Sequence, residues 1–260
     1  MLLDYDGTLT PIVTDPVTAD LSPAMQQILT ARVVHRPRGQ VAMVSGRALA
    51  DLRKWAEGMA LYMAGNHGLE IAGPEVAYSH PEAVRLQPHL RTLARDLQQE
   101  LGTIPGAWVE DKGLTLTVHM RAVPTAYVPS VRRRVLRLLR PALEARALAL
   151  STGKAVLEVR PAIKWDKGGA LRWIVDHMCL TRSASGMFPV YIGDDETDED
   201  AFRALGATGL GIRVGCDRLS SAAPYYVDSV EETIQFLVMW RGLTWPTRPH
   251  GRVWSKKPGT

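Results

Sequence analysis

Short apolar runs alternate with helical apolar spacing over the first seventy residues of the chain. The apolar runs are compact and contain no charged residue, which is typical of buried strands. Between them, apolar residues recur every three or four positions, as they do on the buried face of a helix. The elements predicted here are strands at Leu2-Leu3, 41–44 and 61–64, and helices that begin at Ser22-Pro23 and include Leu49, Leu52 and Trp55. Strands that alternate with helices indicate a parallel sheet covered on both faces.

The pattern changes after Gly73-Pro74, a turn that marks a predicted domain boundary. A helix with leucines on one face follows, and residues 114–121 then alternate strictly between apolar and polar. Strict alternation predicts a strand with one buried and one solvent-facing side, as in an antiparallel sheet. A basic amphipathic helix over about 129–146 and alternating stretches near 148 and at 156–160 complete this segment. Residues 74–158 are therefore predicted to form a small inserted α+β domain.

The first pattern returns beyond this insert. The predicted elements are a helix over 168–178, a strand over 189–192, a helix capped by Thr197, a strand over 210–214 and a closing helix over 230–240. The predicted fold is an α/β core of residues 1–73 and 159–243 with a parallel sheet, interrupted by the α+β insert. Residues 244–260 are rich in proline, glycine and basic residues, and they are predicted to form a disordered tail.

Composition narrows the class of protein. Of the 260 residues, 46% are hydrophobic and 22% charged, as in ordinary globular proteins. The two cysteines, Cys179 and Cys216, form no CxxC pair, which argues against a disulfide framework or a zinc site. Neither a signal peptide nor an apolar run of membrane-spanning length is visible, so a cytoplasmic protein without a membrane partner is expected. A monomer is also expected.

The net charge of +4 raises the question of nucleic-acid binding. Five arginines between residues 132 and 140 account for much of the local basic character, and they fall on one predicted helix. Such a cluster is typical of a solvated helix face, and neither a DNA-binding motif nor interleaved aromatic residues accompany it. Nucleic acid is therefore not an expected partner.

Four polar clusters stand in predicted turns at the carboxyl ends of strands. They are Asp4-Tyr5-Asp6-Gly7-Thr8, Ser45-Gly46-Arg47, Lys167-Gly168 and Gly193-Asp194-Asp195. In open α/β sheets, ligands bind beyond the carboxyl ends of the strands, where such turns meet. Carboxylates, a hydroxyl and a lysine suit a phosphate group together with Mg²⁺, which prefers a few carboxylates, waters and phosphate oxygens.

Each cluster alone has a simpler interpretation. Asp4 and Asp6 could stabilise a turn, Ser45 could cap a helix, and Lys167 could lie on the surface. The chain order and spacing of the four clusters together favour a catalytic site over these structural roles.

These clusters resemble the motifs of haloacid dehalogenase-type phosphatases, whose first motif is DxDx(T/V). The resemblance implies a Rossmann-like core in which Asp4 is the nucleophile that forms an aspartyl phosphate. It also implies that Asp6 protonates the leaving oxygen and then activates water, while its backbone carbonyl binds Mg²⁺. The remaining implied roles are phosphate binding by Ser45, Gly46 and Arg47, charge neutralisation by Lys167, metal binding by Asp4 and Asp194, and support of metal-bound water or of the loop by Asp195 and Asp198.

Longer motifs are similar to those of trehalose-6-phosphate phosphatases over residues 2 to about 240. They include Leu3–Pro11, Gly65-Asn66-His67-Gly68-Leu69-Glu70, Val109-Glu110-Asp111-Lys112, Glu158-Val159-Arg160-Pro161, Trp165-Asp166-Lys167-Gly168 and residues 193–200. The resemblance implies that the substrate is trehalose 6-phosphate and that the insert is a cap holding the sugar. The implied substrate-binding residues are Asn66, His67, Glu110, Lys112, Arg121, Lys154 and Glu158. From the residues alone, cross-strand ion pairs on the polar face of a sheet are the favoured interpretation of those in the insert.

Two alternatives stay open at this point. One is a phosphatase on the same core for another sugar phosphate, such as sucrose phosphate or mannosyl-phosphoglycerate. The other is a non-catalytic module of the kind fused to trehalose-phosphate synthases, which would be expected to lack a catalytic carboxylate. Asp4, Asp6, Lys167 and Asp194 are all present, which favours an enzyme.

Overall fold

A computed structural model describes residues 1–13, 18–35, 41–56, 58–74, 76–153, 155–182, 188–215 and 221–240. The predicted tail, Lys154 and Cys216 lie outside these ranges. The chain divides into two compact units, which we call the core unit (residues 1–78 and 165–260) and the insert unit (residues 79–164).

The predicted strands and helices occur in the predicted order, and the structure adds strands at 70–73, 76–79, 108–111 and 225–227 that were not predicted. The strands are β1 (Leu2–Leu3), β2 (Ala42–Val44), β3 (Tyr62–Gly65), β4 (Glu70–Gly73), β5 (Val76–Ser79), β6 (Trp108–Asp111), β7 (Leu116–His119), β8 (Leu148–Gly153), β9 (Val156–Pro161), β10 (Val190–Gly193), β11 (Leu210–Val214) and β12 (Tyr225–Val227). The helices are α1 (Pro23–His35), α2 (Leu49–Trp55), α3 (Pro81–Leu101), α4 (Val128–Glu144), α5 (Lys167–Arg182), α6 (Asp198–Leu205) and α7 (Val230–Trp240). Within the described ranges, none of these helices is long and apolar enough to cross a membrane.

The core unit is built on a mostly parallel sheet of strand order β12-β11-β10-β1-β2-β3-β4-β5. Strand β1 lies in its middle and pairs in parallel with both β10 and β2, whereas β3 and β4 pair antiparallel. The predicted α/β class with a parallel central sheet is confirmed. Because parallel strands end at the same edge, the turns after β1, β2 and β10 meet there.

Both faces of this sheet are covered, and the two residues of β1 face opposite layers. Leu3 lies in register with Met43 and Ile192, and all three join one buried cluster that also contains residues of α1, α2 and α7. Leu2 lies beside Tyr191 and faces the other cluster, formed with α5 and α6. Successive side chains of a strand point to opposite faces, so Leu3 packs into one buried layer and Leu2 into the other.

The insert unit has an antiparallel sheet of strand order β6-β7-β9-β8, with α3 and α4 packed on its apolar face. This architecture agrees with the predicted α+β insert. The prediction that the polar side of β7 faces solvent is wrong, since Thr117 and His119 are both buried. They are covered because β6 and β9 flank β7, and because the Trp108 ring stacks on His119.

The units divide at residues 78/79 and 164/165, five and six residues beyond the predicted boundaries. Strand β9 runs across the predicted boundary at 158/159, and it pairs along its whole length with β8 inside the insert unit. Strand β5, which follows Gly73-Pro74, is the outermost strand of the core sheet. Strand pairing therefore places both domain boundaries later in the chain than the sequence pattern, including the Gly73-Pro74 turn, predicts.

Candidate active site

Three of the predicted polar clusters meet at the carboxyl edge of the core sheet. Asp4 directly follows β1, and its backbone N–H donates to the Ile192 carbonyl of β10 at 2.9 Å. Ser45 follows β2, and Asp194 follows β10. The prediction that Lys167-Gly168 also stands at a strand end is wrong, because Lys167 is the first residue of α5. It joins the other clusters through this helix, which packs against α6.

Lys167 is the centre of the charge network at this edge. Its side chain is 3% exposed, and its Nζ lies 2.8 Å from Asp4 Oδ1 and 2.8 Å from Asp198 Oδ1. Asp195 Oδ1 lies 3.9 Å from the same nitrogen. A buried lysine is stable as a cation only beside carboxylates, so this arrangement fixes one positive charge directly against Asp4.

Asp198 is fully buried and holds Lys167 in place through an ion pair. Its Oδ1 accepts hydrogen bonds from Lys167 Nζ and from the Tyr191 hydroxyl at 2.6 Å. Its Oδ2 accepts from the backbone N–H groups of Asp194 and Asp195, each at 3.0 Å. A carboxylate has about four acceptor positions, so these four donors account for them. Tyr191 was missed by the sequence interpretation because it stands inside a strand, where an aromatic residue is read as core.

Asp195 orients the turn before α6. Its Oδ1 accepts from the backbone and the hydroxyl of Thr197 at 2.8 and 2.7 Å, and from the backbone of Asp198 at 3.2 Å. The expected cap by Thr197 is wrong, because the Thr197 side chain makes no capping bond and Asp195 takes that role. Burial raises the pKa of Asp195, but Lys167 and these hydrogen bonds outweigh it and hold the pKa well below its ordinary value.

Burial and like charge raise the pKa values of Asp4 and Asp194. Burial raises the pKa of Asp4 well above its ordinary value against the opposing charge of Lys167. Burial, followed by the charges of Asp198 and Asp195, raises the pKa of Asp194 to about 7. Burial lowers the pKa of Lys167, but Asp198 and Asp4 outweigh it and hold the pKa well above its ordinary value. A divalent cation stabilises crowded carboxylates of this kind.

The donor set fits a magnesium ion. Among the described residues, Asp4, Asp194 and Asp198 each place a carboxylate oxygen within 4.8 Å of the others. Asp198 is already satisfied by four donors, which leaves Asp4 and Asp194 as the carboxylates suited to a metal. Gly7, at φ +80°, comes so close to Asp194 that a Cβ there would meet the carboxylate. Close backbone approach to an acidic cluster is a common use of glycine.

Asp6 lies beside this cluster and is held by Arg47. The Arg47 Nε and a terminal nitrogen donate to the two oxygens of Asp6, each at 2.7 Å. The guanidinium also lies 4.8 Å from the ring centre of Tyr5. The sequence predicted Arg47 as a phosphate-binding residue, and the structure places it on the Asp6 carboxylate.

The turns after β2 and β3 are joined by backbone hydrogen bonds. The N–H groups of Asn66 and His67 donate to the carbonyls of Arg47 and Ser45 at 2.7 and 2.9 Å. Both Asn66 and His67 adopt left-handed backbone conformations, with φ of 50° and 56°. A Cβ on Gly46 would lie 2.7 Å from the His67 ring, so glycine permits this contact. Two consecutive non-glycine residues at positive φ mark a constrained segment of the kind found at functional sites.

Two of the predicted substrate-binding residues of the insert unit, Glu110 and Glu158, lie on the polar face of its sheet. Glu110 Oε2 lies 2.8 Å from His119 Nε2 and 4.0 Å from Lys112 Nζ. Glu158 is in register with Thr117, which is in turn in register with Glu110. The predicted residue Arg121 follows β7 and is exposed, and Lys154 lies outside the described residues.

Comparisons with known proteins agree on one family. Residues 2–231 match the family model described as trehalose-phosphatase. A trehalose 6-phosphate phosphatase of Zea mays is 37% identical over 252 residues, covering 91% of this chain and 68% of that protein. The chain spans between 59% and 68% of the length of the first curated relatives it matches.

Solved structures support the fold. The C-terminal domain of a C. albicans trehalose-6-phosphate phosphatase matches with a TM-score of 0.75 at 24% identity, covering 93% of this chain and 91% of that one. A haloacid dehalogenase-like hydrolase from Bacteroides thetaiotaomicron matches with a TM-score of 0.61 at 17% identity, covering 92% and 98%. The fold is therefore that of the haloacid dehalogenase-like hydrolases, as the sequence motifs predicted.

Proposed function

The chain belongs to the trehalose-phosphatase family, and we propose on this premise that it hydrolyses trehalose 6-phosphate to trehalose and inorganic phosphate. The observation that carries the proposal is the buried Asp4 held by Lys167 beside Asp194, at the edge where a parallel sheet binds ligands. Family membership and enzyme class agree with the sequence prediction; the substrate is part of the proposal.

The proposed reaction has two displacements at phosphorus. First, an Asp4 carboxylate oxygen forms a bond to phosphorus as the bond from phosphorus to the sugar oxygen breaks, and Asp6 gives its proton to that oxygen. Next, Asp6 takes a proton from a water molecule whose oxygen attacks phosphorus, and the bond to Asp4 breaks. The products are trehalose and phosphate. Asp4 is again an ionised carboxylate, and Asp6 is again the protonated acid with which the first displacement began.

Lys167 opposes the repulsion between an anionic nucleophile and an anionic phosphate. Its Nζ already lies 2.8 Å from Asp4 Oδ1, and Asp198 with Tyr191 holds it there. Phosphoryl transfer depends on fixed positions and on neutralised charge more than on covalent activation. A lysine fixed before substrate arrives stabilises the transition state without further reorganisation.

Asp4 and Asp194 are the carboxylates that would hold Mg²⁺, together with the backbone carbonyl of Asp6. When bound, Mg²⁺ supplies positive charge that polarises the phosphate oxygens. Asp195 supports this group indirectly, since it caps the turn that carries Asp194. Arg47 in turn orients the Asp6 carboxylate through two hydrogen bonds.

The insert unit would supply sugar recognition. Glu110, Lys112 and Glu158 lie on or beside the polar face of its sheet, and Arg121 follows β7. Carboxylates accept hydrogen bonds from sugar hydroxyls, whereas lysine and arginine donate to them. Asn66 and His67, fixed at the edge of the core sheet, are proposed to contribute from the core unit. Phosphate release from a panel of sugar phosphates, with Mg²⁺ or with EDTA, tests the whole proposal.

A further inference from the structure

Trp108 and the buried His119 form a stacked aromatic pair on the polar face of the insert sheet. They lie directly opposite each other on β6 and β7. Their rings are stacked, with centroids 3.8 Å apart and planes inclined by 4°. The His119 side chain is 9% exposed, whereas Trp108 is 38% exposed and covers it from the outside. The histidine ring is therefore held in one plane by its neighbour.

The edge of this fixed ring is directed at Glu110. His119 Nε2 lies 2.8 Å from Glu110 Oε2. An ionised carboxylate only accepts hydrogen bonds, so Nε2 must carry the proton and donate it. Lys112 Nζ, 4.0 Å from the same oxygen, adds a positive charge on that side. Both groups therefore converge on one oxygen of Glu110.

Glu110 is less buried than the residues that hold it, with 28% of its side chain exposed. A glutamate on a wet surface samples many rotamers, and ordering it on binding lowers affinity. A buried donor that fixes one of its oxygens removes that cost. A carboxylate has about four acceptor positions, so a hydrogen bond from His119 is compatible with others from a ligand.

We propose that His119, held flat by Trp108, is a positioning residue that orients the Glu110 carboxylate toward a hydroxyl of the disaccharide. The proposal rests on the proposed function, because Glu110 is assigned there to sugar recognition. It adds two residues that the sequence motifs did not single out. His119 acts through Glu110 and is not assigned any contact with the reacting atoms.

The test compares variants on two substrates, trehalose 6-phosphate and p-nitrophenyl phosphate, which has no sugar. His119→Leu removes the donor at similar volume, and His119→Gln keeps an N–H donor. Losing a hydrogen bond to a charged group corresponds to about a tenfold effect or more, so His119→Leu should lower the ratio of kcat/KM between the two substrates about tenfold, through KM. His119→Gln should recover most of that ratio. His89→Leu, the same change at an exposed position of α3, should leave the ratio unaltered.

A double-mutant cycle separates positioning from a general structural role. If His119 acts through Glu110, adding His119→Leu to Glu110→Ala should lower the ratio no further. Additive losses, or equal losses on both substrates, would overturn the proposal. Nitrogen-15 NMR of the histidine rings gives an independent readout: a proton on His119 Nε2 is expected, and a ring protonated only on Nδ1 overturns the proposal. A wild-type protein that cleaves p-nitrophenyl phosphate but no sugar phosphate would instead refute the proposed substrate class.

Discussion

Arg47 donates two hydrogen bonds of 2.7 Å to the carboxylate of Asp6, and its guanidinium also lies over the ring of Tyr5. Bidentate pairing fixes both the position and the plane of a carboxylate, which a lysine cannot do. In the proposed reaction, Asp6 exchanges a proton with two different oxygens in turn. Its orientation is therefore expected to affect turnover more than substrate binding.

Arg47→Lys tests this relationship. The substitution keeps the charge but loses the bidentate geometry, and misplacement of a proton-transfer group by about 1 Å can cost on the order of a hundredfold in rate. We expect kcat for trehalose 6-phosphate to fall by about tenfold to a hundredfold, with a smaller change in KM. Steady-state kinetics would measure this change. Lys54→Arg is the control, because it also exchanges lysine and arginine in an ion pair, here the exposed pair with Asp51, and should leave kcat unaltered. A variant with wild-type kcat would show that Arg47 does not orient Asp6.

Asp4→Asn tests the nucleophile. The amide has the shape of the carboxylate but cannot form an aspartyl phosphate, so kcat should fall by at least about a thousandfold. Stability should be retained or increased in the absence of metal, since burial and neighbouring carboxylates already raise the pKa of Asp4 and thus disfavour its charge. Urea unfolding in EDTA checks stability, and phosphate release checks activity. A folded variant with near-normal turnover would exclude Asp4 as the nucleophile.

Tyr191→Phe tests the support behind Lys167. The change deletes a buried hydrogen bond of 2.6 Å to the Asp198 carboxylate, and such bonds to charged groups contribute about 2 kcal/mol. Tyr5→Phe is a matched control, because it removes a buried hydroxyl that donates to the neutral Ala19 carbonyl at 3.0 Å, a bond that contributes about 1 kcal/mol. Urea denaturation should therefore show the larger loss for Tyr191→Phe. Equal losses would mean that Tyr191 does not stabilise the charge network.

The raised pKa of Asp194 predicts how stability depends on pH without metal. Its folded-state pKa of about 7 exceeds the ordinary value of 3.8, so between those values the folded protein binds more protons than the unfolded chain. The free energy of unfolding should then fall as pH rises through this window. Asp194→Asn should reduce that slope.

Magnesium should reverse this trend, because a cation binds the ionised carboxylate. Unfolding in urea at pH 5, 6.5 and 8, with EDTA or with Mg²⁺, should therefore show greater stabilisation by Mg²⁺ at pH 8 than at pH 5. The same Mg²⁺ effect at every pH would contradict a role for Asp194 in metal binding. An unchanged slope of Asp194→Asn in EDTA would instead contradict the raised pKa of Asp194.

The sequence indicated which turns meet at this edge of the sheet because most of its signals are local. The motifs at Asp4, Ser45 and Asp194 each follow a short apolar run that forms a buried strand, and parallel strands end at a common edge. Lys167 instead begins a helix, so its position beside Asp4 depends on packing, and the catalytic roles of these residues stay a prediction.

The residues that the sequence did not predict depend on contacts between distant segments. The sequence pattern assigns Tyr191 to the buried part of a strand, yet its hydroxyl donates a hydrogen bond to Asp198. The alternating pattern predicts that His119 faces solvent, yet Trp108 from the neighbouring strand stacks on it. The spacing of residues within one segment cannot predict these contacts. They depend on which strands pair, in which register, and on how the helices pack against the sheet.

The most direct test of the central claim is phosphate release from trehalose 6-phosphate, sucrose 6-phosphate, glucose 6-phosphate and p-nitrophenyl phosphate. Each substrate should be assayed with Mg²⁺ and with EDTA, using the wild-type protein and Asp4→Asn in parallel. We expect release that requires Mg²⁺, is lost in Asp4→Asn and strongly prefers trehalose 6-phosphate. Equal rates on all four substrates, or turnover that persists in EDTA or in Asp4→Asn, would contradict the account.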